Sequence, residues 1–185
     1  MWGEYMLYVV RAVESRKPFV EEILKQIPDA IVYYDEFHDP MKSYLHVCKN
    51  IVNGQPAVLL EDDIILTSNF KQKIESVIDI CPDMLINFFS LSKKYTEPHT
   101  KKGREYCMNQ CEYFPEDFSL KVVEAYENWP LKEKEPTAYD FLVGYAWGSN
   151  RDYLVWCPSL VQHRQVKSII DPRRSSKIQS ITFKE

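Results

Sequence analysis

Three carboxylates stand side by side in this chain, Glu61-Asp62-Asp63, between the apolar runs 57–60 and 64–66. Adjacent carboxylates repel one another, so a fold that gathers them beside a buried strand needs a counter-charge. Mg²⁺ and Mn²⁺ prefer carboxylate oxygens and keep coordination positions open for the phosphates of a substrate. A solvated acidic turn is the competing interpretation, and the triplet alone leaves both open.

The C-terminal segment carries the opposite charge. Residues 151–185 hold 7 Lys and Arg against 3 Asp and Glu, whereas residues 1–150 hold 16 against 24. A neutral histidine is an ordinary ligand for Mn²⁺, and His163 lies among basic residues: Arg164, Lys167, Arg173, Arg174 and Lys177. The alternatives are a solvated tail, a tail that binds nucleic-acid phosphates, and a loop histidine bonded to the backbone.

Asp140 is a candidate general base, because it lies near the beginning of a predicted helix, residues 137–147. A carboxylate placed beside a hydroxyl can take its proton during a transfer reaction. The stretch Thr137-Ala138-Tyr139-Asp140 also fits a capping box, in which Asp140 would accept from the Thr137 amide. Both interpretations remain open from the sequence.

Apolar patterning predicts alternating strands and helices in the first half. Strands are predicted at 5–10, 30–34, 57–60 and 84–91, with a polar turn at 11–17 and helices beginning near Pro18, after Asp39 as N-cap, and near Ser68. This alternation is typical of an α/β fold with a parallel sheet between helices. Ligands of such sheets lie at the carboxyl ends of the strands, where the acidic triplet falls.

The second half is less regular. Residues 92–104 carry five positive charges against one negative and show no periodicity, which predicts a basic loop. A short strand is predicted within 106–114, a helix through Val122 to Trp129, a helix at 137–147 with Thr137 as N-cap, and a strand at 153–157.

Composition limits the class of protein. The chain has 185 residues, is 45% apolar and 27% charged, and contains five Gly, which predicts one globular domain and excludes disordered, collagen-like and fibrous classes. The net charge of −4 gives no overall attraction to nucleic acid. No signal peptide or run of about 20 apolar residues is evident, and the five scattered Cys favour a reduced, cytoplasmic compartment. A zinc site at Cys107 and Cys111 with His99 fits no strong spacing pattern.

Two stretches resemble those of GT-A glycosyltransferases. Val58-Leu59-Leu60-Glu61-Asp62-Asp63-Ile64-Ile65-Leu66 resembles the metal-binding acidic motif of that family. Pro158-Ser159-Leu160-Val161-Gln162-His163, followed by Ser168, is similar to the closing segment of many small members, including ones encoded by bacteriophages. The resemblance covers most of the chain. It implies one GT-A-like, Rossmann-like α/β domain over 1–185, with a nucleotide-binding half (1–91), an acceptor half (92–161) and a basic closing tail (162–185).

The resemblance also implies a set of site residues. Mn²⁺ or Mg²⁺ would bridge the two phosphates of a nucleotide sugar and be held by Glu61, Asp63 and His163, with Asp63 as a direct ligand. The predicted donor-binding residues are Arg11, Arg16, Asp35, Asp62, Arg164, Lys167, Arg173 and Arg174. Arg11, Arg16 and Asp35 would form the nucleoside pocket, and the basic tail would cover the diphosphate. Asp140 corresponds to the base of inverting members, although Tyr139 stands before it where those enzymes usually carry another acid.

The sequence therefore predicts a metal-dependent glycosyltransferase. It would move a sugar from a UDP- or GDP-sugar to a hydroxyl acceptor, with inversion if one base and no enzyme nucleophile act. A hydroxylated DNA base is one acceptor class that the small phage-like members suggest, with the host cytoplasm as the location if the chain is phage-encoded; glycans and protein hydroxyls are others. The competing functions are a metal-dependent nuclease or phosphohydrolase that uses the same acids and His163, and a non-catalytic nucleotide-sugar-binding module.

Overall fold

The structure is a computed structural model that describes residues 6–135, 137–167 and 178–185. Nine strands form in these ranges: β1 (Leu7–Ala12), β2 (Ile31–Tyr34), β3 (Ala57–Glu61), β4 (Ile64–Leu66), β5 (Ile86–Asn87), β6 (His99–Lys102), β7 (Cys111–Phe114), β8 (Asp152–Val155) and β9 (Val161–His163). Seven of them make a central sheet in the order β2-β1-β3-β7-β5-β8-β6, and β4 pairs separately with β9.

The central sheet is mostly parallel. β1 pairs in parallel with β2 and β3, and β5 pairs in parallel with β8. β7 is antiparallel to β3 and β5, and the edge strand β6 is antiparallel to β8. Five of the seven strands therefore run in one direction, which confirms the predicted α/β class with a mostly parallel, Rossmann-like sheet flanked by helices.

Helices cover both faces of the sheet. They are α1 (Lys17–Leu24), α2 (Pro40–His46), α3 (Phe70–Ile80), α4 (Phe118–Glu127) and α5 (Tyr139–Trp147), with a π-helical turn at Val47–Val52 and 3₁₀ turns at Glu14–Arg16 and Gly103–Glu105. Because side chains alternate across a strand, Val10 and Leu60 pack in the core layer of α1 and α3. Val9 and Leu59 pack in the opposite layer, with α2, α4 and α5.

The first half follows the sequence pattern closely. Pro18 lies in the first turn of α1, and Asp39 caps α2 by accepting from the amides of Met41 and Lys42 at 3.0 Å. The prediction of a polar turn from Arg11 is wrong, because β1 runs to Ala12. Arg11 is consequently a buried strand residue with 6% of its surface exposed.

Two further predictions differ from the structure, one in the second half and one at the end of the first. Residues 99–102 of the predicted basic loop form β6, which pairs with β8 from His99↔Val155 to Lys102↔Asp152. β6 is an edge strand with mostly polar side chains, so it lacks the apolar alternation that marks a strand. The predicted strand at 84–91 contracts to Ile86–Asn87, although its flanking residues Leu85, Phe88 and Phe89 are buried.

Helix α5 makes a close backbone contact with the 3₁₀ turn Gly103–Glu105. A Cβ atom on Gly144 would lie 2.2 Å from the carbonyl oxygen of Gly103, so only glycine fits there. The N-cap of α5 is Ala138, with no side-chain cap bond, so the predicted capping role of Thr137 is wrong. In the part of the chain that the structure describes, no helix has the length and apolarity that crossing a bilayer requires.

Candidate active site

A pocket of about 290 Å³ opens at the carboxyl ends of β1, β2 and β3. β2 lies on one side of β1 and β3 on the other, so the chain reverses its direction across the sheet here, and ligands of α/β proteins bind at such points. The pocket gathers eight of the predicted site residues: Arg11, Arg16, Asp35, Glu61, Asp62, Asp63, Asp140 and His163. They are separated by up to 152 positions in the chain.

Arg16 supplies a counter-charge to the acidic triplet. Its Nη1 atom lies 2.7 Å from Asp62 Oδ1 and 2.7 Å from Asp63 Oδ2, and its Nη2 atom donates to the Lys167 carbonyl at 3.0 Å. The Val13 amide also donates to Asp62, at 2.9 Å. Burial raises the pKa of Asp62 despite these contacts. The expected need for a counter-charge is therefore met, in this structure, by a guanidinium from the turn after β1.

Asp63 also faces His163. The antiparallel pairing of Ile64 with His163 brings Asp63 Oδ2 to 3.4 Å from His163 Nε2. Burial opposes ionisation of Asp63, but the contacts with His163 and Arg16 outweigh it and lower its pKa. His163 is 8% exposed, and its Nδ1 atom has no hydrogen-bond partner among the described residues.

Asp63 and His163 fit a divalent cation as a pair of ligands. Two neighbouring ligand atoms on an octahedral ion, each about 2.1 Å from it, lie about 3 Å apart, close to the observed 3.4 Å. Within residues 6–135, 137–167 and 178–185, no three or more His, Cys, Asp and Glu side chains group so as to hold a metal. Phosphate and water oxygens would have to complete the coordination, and Asp63 Oδ2 would have to exchange its contact with Arg16 for the ion.

Glu61, the third predicted ligand, pairs with Arg11. Arg11 Nη2 lies 3.4 Å from Glu61 Oε1, and the guanidinium lies 4.7 and 4.5 Å from the ring centroids of Tyr44 and Tyr139, which stack on each other. Burial raises the pKa of Glu61 to about 7, against the opposing effect of Arg11. Glu61 and Arg11 line the pocket, but as an ion pair beside the α2 and α5 layer.

Glu112 is a buried acid that the sequence reasoning missed. It is 1% exposed in β7, where Tyr44 and Tyr106 donate their hydroxyls to its two carboxylate oxygens. Burial raises its pKa to about 8, more than the two hydroxyl donors lower it. A charged residue inside the otherwise apolar stretch Cys111–Phe114 was the available signal.

Asp140 lies at the first turn of α5 and lines the pocket. Its Oδ1 atom accepts from the Phe141 amide at 3.0 Å, and its Oδ2 atom accepts from the Met108 amide at 3.4 Å. The capping box with Thr137 is therefore wrong. Glu116 and Asp117, the acids just before α4, do not line this pocket.

The remaining predicted donor-binding residues are spread more widely. Asp35 lines the pocket and accepts from the Phe37 amide at 2.9 Å. Arg164 is turned to α1, where it pairs with Glu22, lies 4.6 Å over the Phe19 ring and donates to the Ile64 carbonyl at 3.1 Å. The side chain of Lys167 is not part of the pocket wall. Arg173 and Arg174 lie outside the described residues.

Cys107 and Cys111 do not converge on a metal. Cys107 is exposed, whereas Cys111 is fully buried in the core layer of α1 and α3. The described residues contain no metal-holding group that includes them or His99. All five cysteines are free thiols.

Comparison with known proteins gives a likeness of fold. No protein-family model matches the sequence, and no curated protein resembles it significantly. Among solved structures, A197 from STIV matches over 98% of this chain and 95% of its own, with 12% identity and a TM-score of 0.57.

Two further structures match with lower TM-scores. A glycosyltransferase involved in the glycosylation of the major capsid of PBCV-1 matches over 83% of this chain and 82% of its own, with 13% identity and a TM-score of 0.44. The CTP:phosphocholine cytidylyltransferase of Streptococcus pneumoniae matches over 89% of this chain and 95% of its own, with 11% identity and a TM-score of 0.47. At these identities, what the chain shares with solved structures is its fold.

The Arg16→Ala variant should be less stable than the wild type but more responsive to Mn²⁺. Removal of the guanidinium leaves Asp62 and Asp63 largely buried without their nearest cation, a loss of about 3 kcal/mol. It also frees Asp63 Oδ2, so Mn²⁺ should raise the melting temperature of the variant more than that of the wild type. Lys42→Ala, which removes an exposed ion pair with Asp39, is the control and should change neither quantity. Equal Mn²⁺ shifts in Arg16→Ala and the wild type would contradict this role.

The Glu112→Gln variant should be more stable than the wild type at pH 8. The folded-state pKa of about 8 exceeds the value of about 4.3 for an unfolded Glu, so the folded state holds a proton that the unfolded state has lost. Stability then falls as pH rises through that window, and Gln, which resembles the protonated acid, removes the fall. Urea unfolding between about pH 5 and pH 8 measures the free energy of unfolding of both proteins, with the exposed Glu124→Gln as the control. Parallel pH profiles for Glu112→Gln and the wild type would refute the raised pKa.

Proposed function

We propose that this chain is a metal-dependent glycosyltransferase that moves a sugar from a nucleotide diphosphate sugar to a hydroxyl acceptor. The observation that carries the proposal is the meeting of Asp63 and His163 in a pocket that Asp140 also lines. The pocket would thus combine a pair of metal ligands with a carboxylate for proton transfer. Its place at the reversal point of the sheet supports a nucleotide as the ligand.

Different residues of the pocket suit different parts of the donor. Asp35, after β2, has a carboxylate that can accept from a base or a ribose. Asp62, Asp63 and His163, after β3 and in β9, would border the diphosphate. The position of Asp35 at the carboxyl end of β2 supports the predicted nucleoside pocket.

Each charged residue then has a chemical task. When bound, Mn²⁺ or Mg²⁺ acts as a Lewis acid that neutralises the charge of the leaving diphosphate. Asp63 and His163 would hold the ion, and Asp62 is fixed by Arg16 and by the Val13 amide. Asp140, oriented by the Met108 and Phe141 amides, takes the proton of the acceptor hydroxyl as it attacks the anomeric carbon. With a single base and no enzyme nucleophile, the configuration of that carbon is inverted.

A hydroxylated DNA base is one acceptor that the charge distribution supports. The basic stretch 92–104 ends in the turn Gly103–Glu105, and the carbonyl oxygen of Gly103 lies against Gly144 of α5. Asp140 lies in the first turn of the same helix. A polyanion bound along this stretch would therefore lie beside the helix that carries the proposed base.

Thermal unfolding with candidate donors tests the proposed function. UDP, GDP and their sugars are added to the protein with and without Mn²⁺, and the fitting donor at about 100 times its dissociation constant should add roughly 2.7 kcal/mol of stability. Asp63→Ala should lose the Mn²⁺-dependent part of this shift because it loses a proposed ligand. Asp152→Ala, an exposed carboxylate in β8 paired with Lys102, should keep it. A full Mn²⁺-dependent shift in Asp63→Ala would overturn the metal role.

The Asp140→Asn variant separates the base from the binding residues. Asn keeps an oxygen for the Phe141 amide but has no proton affinity, so turnover should fall by about 10²–10⁴-fold with donor affinity unchanged. Sugar transfer is measured with DNA that contains a hydroxymethylated pyrimidine, and consumption of the donor is measured without acceptor. A normal rate would remove Asp140 from the mechanism. Cleavage of phosphodiesters without any sugar donor would favour the nuclease or phosphohydrolase instead.

A further inference from the structure

Unsatisfied polar atoms concentrate at the candidate active site. Among the described residues, seven buried side-chain nitrogen and oxygen atoms lack a hydrogen-bond partner. Five of these seven belong to residues that line the pocket: Arg11, Asn109, Gln110 and His163. Buried polar atoms in folded proteins nearly always have a partner. Their concentration at one pocket indicates that a ligand supplies the missing partners.

Two of these four residues already have a role. The unpartnered Arg11 nitrogens lie in a guanidinium that contacts two tyrosine rings and is paired with Glu61. His163 faces Asp63 with its other ring nitrogen. Asn109 Nδ2, a donor, and Gln110 Oε1, an acceptor, remain without any explanation.

The backbone around Asn109 and Gln110 is fixed in place. Asn87 Nδ2 donates to the carbonyls of Cys107 and Met108 at 3.0 and 2.8 Å, and the Glu61 amide donates to the Gln110 carbonyl at 3.0 Å. Met108 has a φ of 65°, an uncommon conformation for a residue other than glycine. The surrounding structure thus presents the two amide side chains at the pocket wall, and Asn109 is only 7% exposed.

We propose that Asn109 and Gln110 form the subsite for the transferred sugar and bind its hydroxyl groups. A hydroxyl can accept from Asn109 Nδ2 and donate to Gln110 Oε1, which is the pair of functions left unsatisfied. Both side chains are uncharged, and Glu61 and Asp140 line the same pocket. The subsite therefore suits a neutral hexose and disfavours a sugar that carries a carboxylate. This inference rests on the proposed function, because it needs a nucleotide sugar as the donor.

The test compares each nucleotide with its sugar. The dissociation constants of UDP, UDP-glucose and UDP-galactose, and of GDP and GDP-mannose, are measured with Mn²⁺ by calorimetry. Asn109→Leu keeps the size of the side chain and removes its donor, and Gln110→Ala removes the acceptor. Each substitution should raise the dissociation constant of the preferred nucleotide sugar about tenfold, the effect of one lost hydrogen bond. The dissociation constant of the free nucleotide should stay unchanged. Asn150→Ala, at an exposed position outside the pocket, is the matched control.

Stability provides a second readout. Because Asn109 Nδ2 is unsatisfied in the ligand-free protein, Asn109→Leu should keep or raise the melting temperature while sugar affinity falls. If Asn109 had a structural role instead, Asn109→Leu would lower the melting temperature. A lower melting temperature together with unchanged affinity for the nucleotide sugar would overturn the subsite. Equal weakening of nucleotide and nucleotide sugar also overturns it and leaves the proposed function standing. Failure of the wild type to bind any of the five ligands overturns the proposed function and, with it, the subsite.

Discussion

The charge balance at the end of β1 and β3 is the constraint on which the site depends. The parallel register puts Arg11 opposite Glu61, and Arg16 follows one turn later against Asp62 and Asp63. Glu112 lies behind these three acids in β7. Four largely buried carboxylates therefore stand against only two guanidinium groups. Removing charge from water is unfavourable unless each charge is paired. An excess of negative charge is therefore built into this edge of the sheet.

That excess has two local consequences. Inside the sheet, where no solvent can enter, Glu112 responds by a raised pKa and by accepting from two tyrosine hydroxyls. At the pocket surface, Asp63 keeps a lowered pKa because His163 and Arg16 face it, although burial opposes ionisation. The same surplus of carboxylates thus yields a neutral acid in the core and an ionised one where a cation could bind.

The sequence predicted the half of the molecule in which local pattern and tertiary environment agree. Alternating apolar periodicities identified β2, α1 and α3, and Asp39 with Pro40 marked the beginning of α2. Prediction from the sequence was wrong where the tertiary environment overrides the local apolar pattern. β6 is polar because it is an edge strand, and Arg11 is buried because Tyr44, Tyr139 and Glu61 surround it. Likewise, Asp63 and His163 were predicted as partners only through a family resemblance, since their contact depends on the β4–β9 pairing.

Asn109 and Gln110 show a different limit of sequence reasoning. Polar residues before a strand are ordinary in a loop, and nothing in their spacing marks them. Their importance follows from what is absent in the folded protein, since each buried unsatisfied polar atom costs about 1–3 kcal/mol. The segment that carries them is nevertheless held by the side chain of Asn87 and the amide of Glu61. A fold that fixes a segment while leaving its polar atoms unpaired has given up stability there. A hydroxylated ligand at this wall would supply the missing partners and recover that stability.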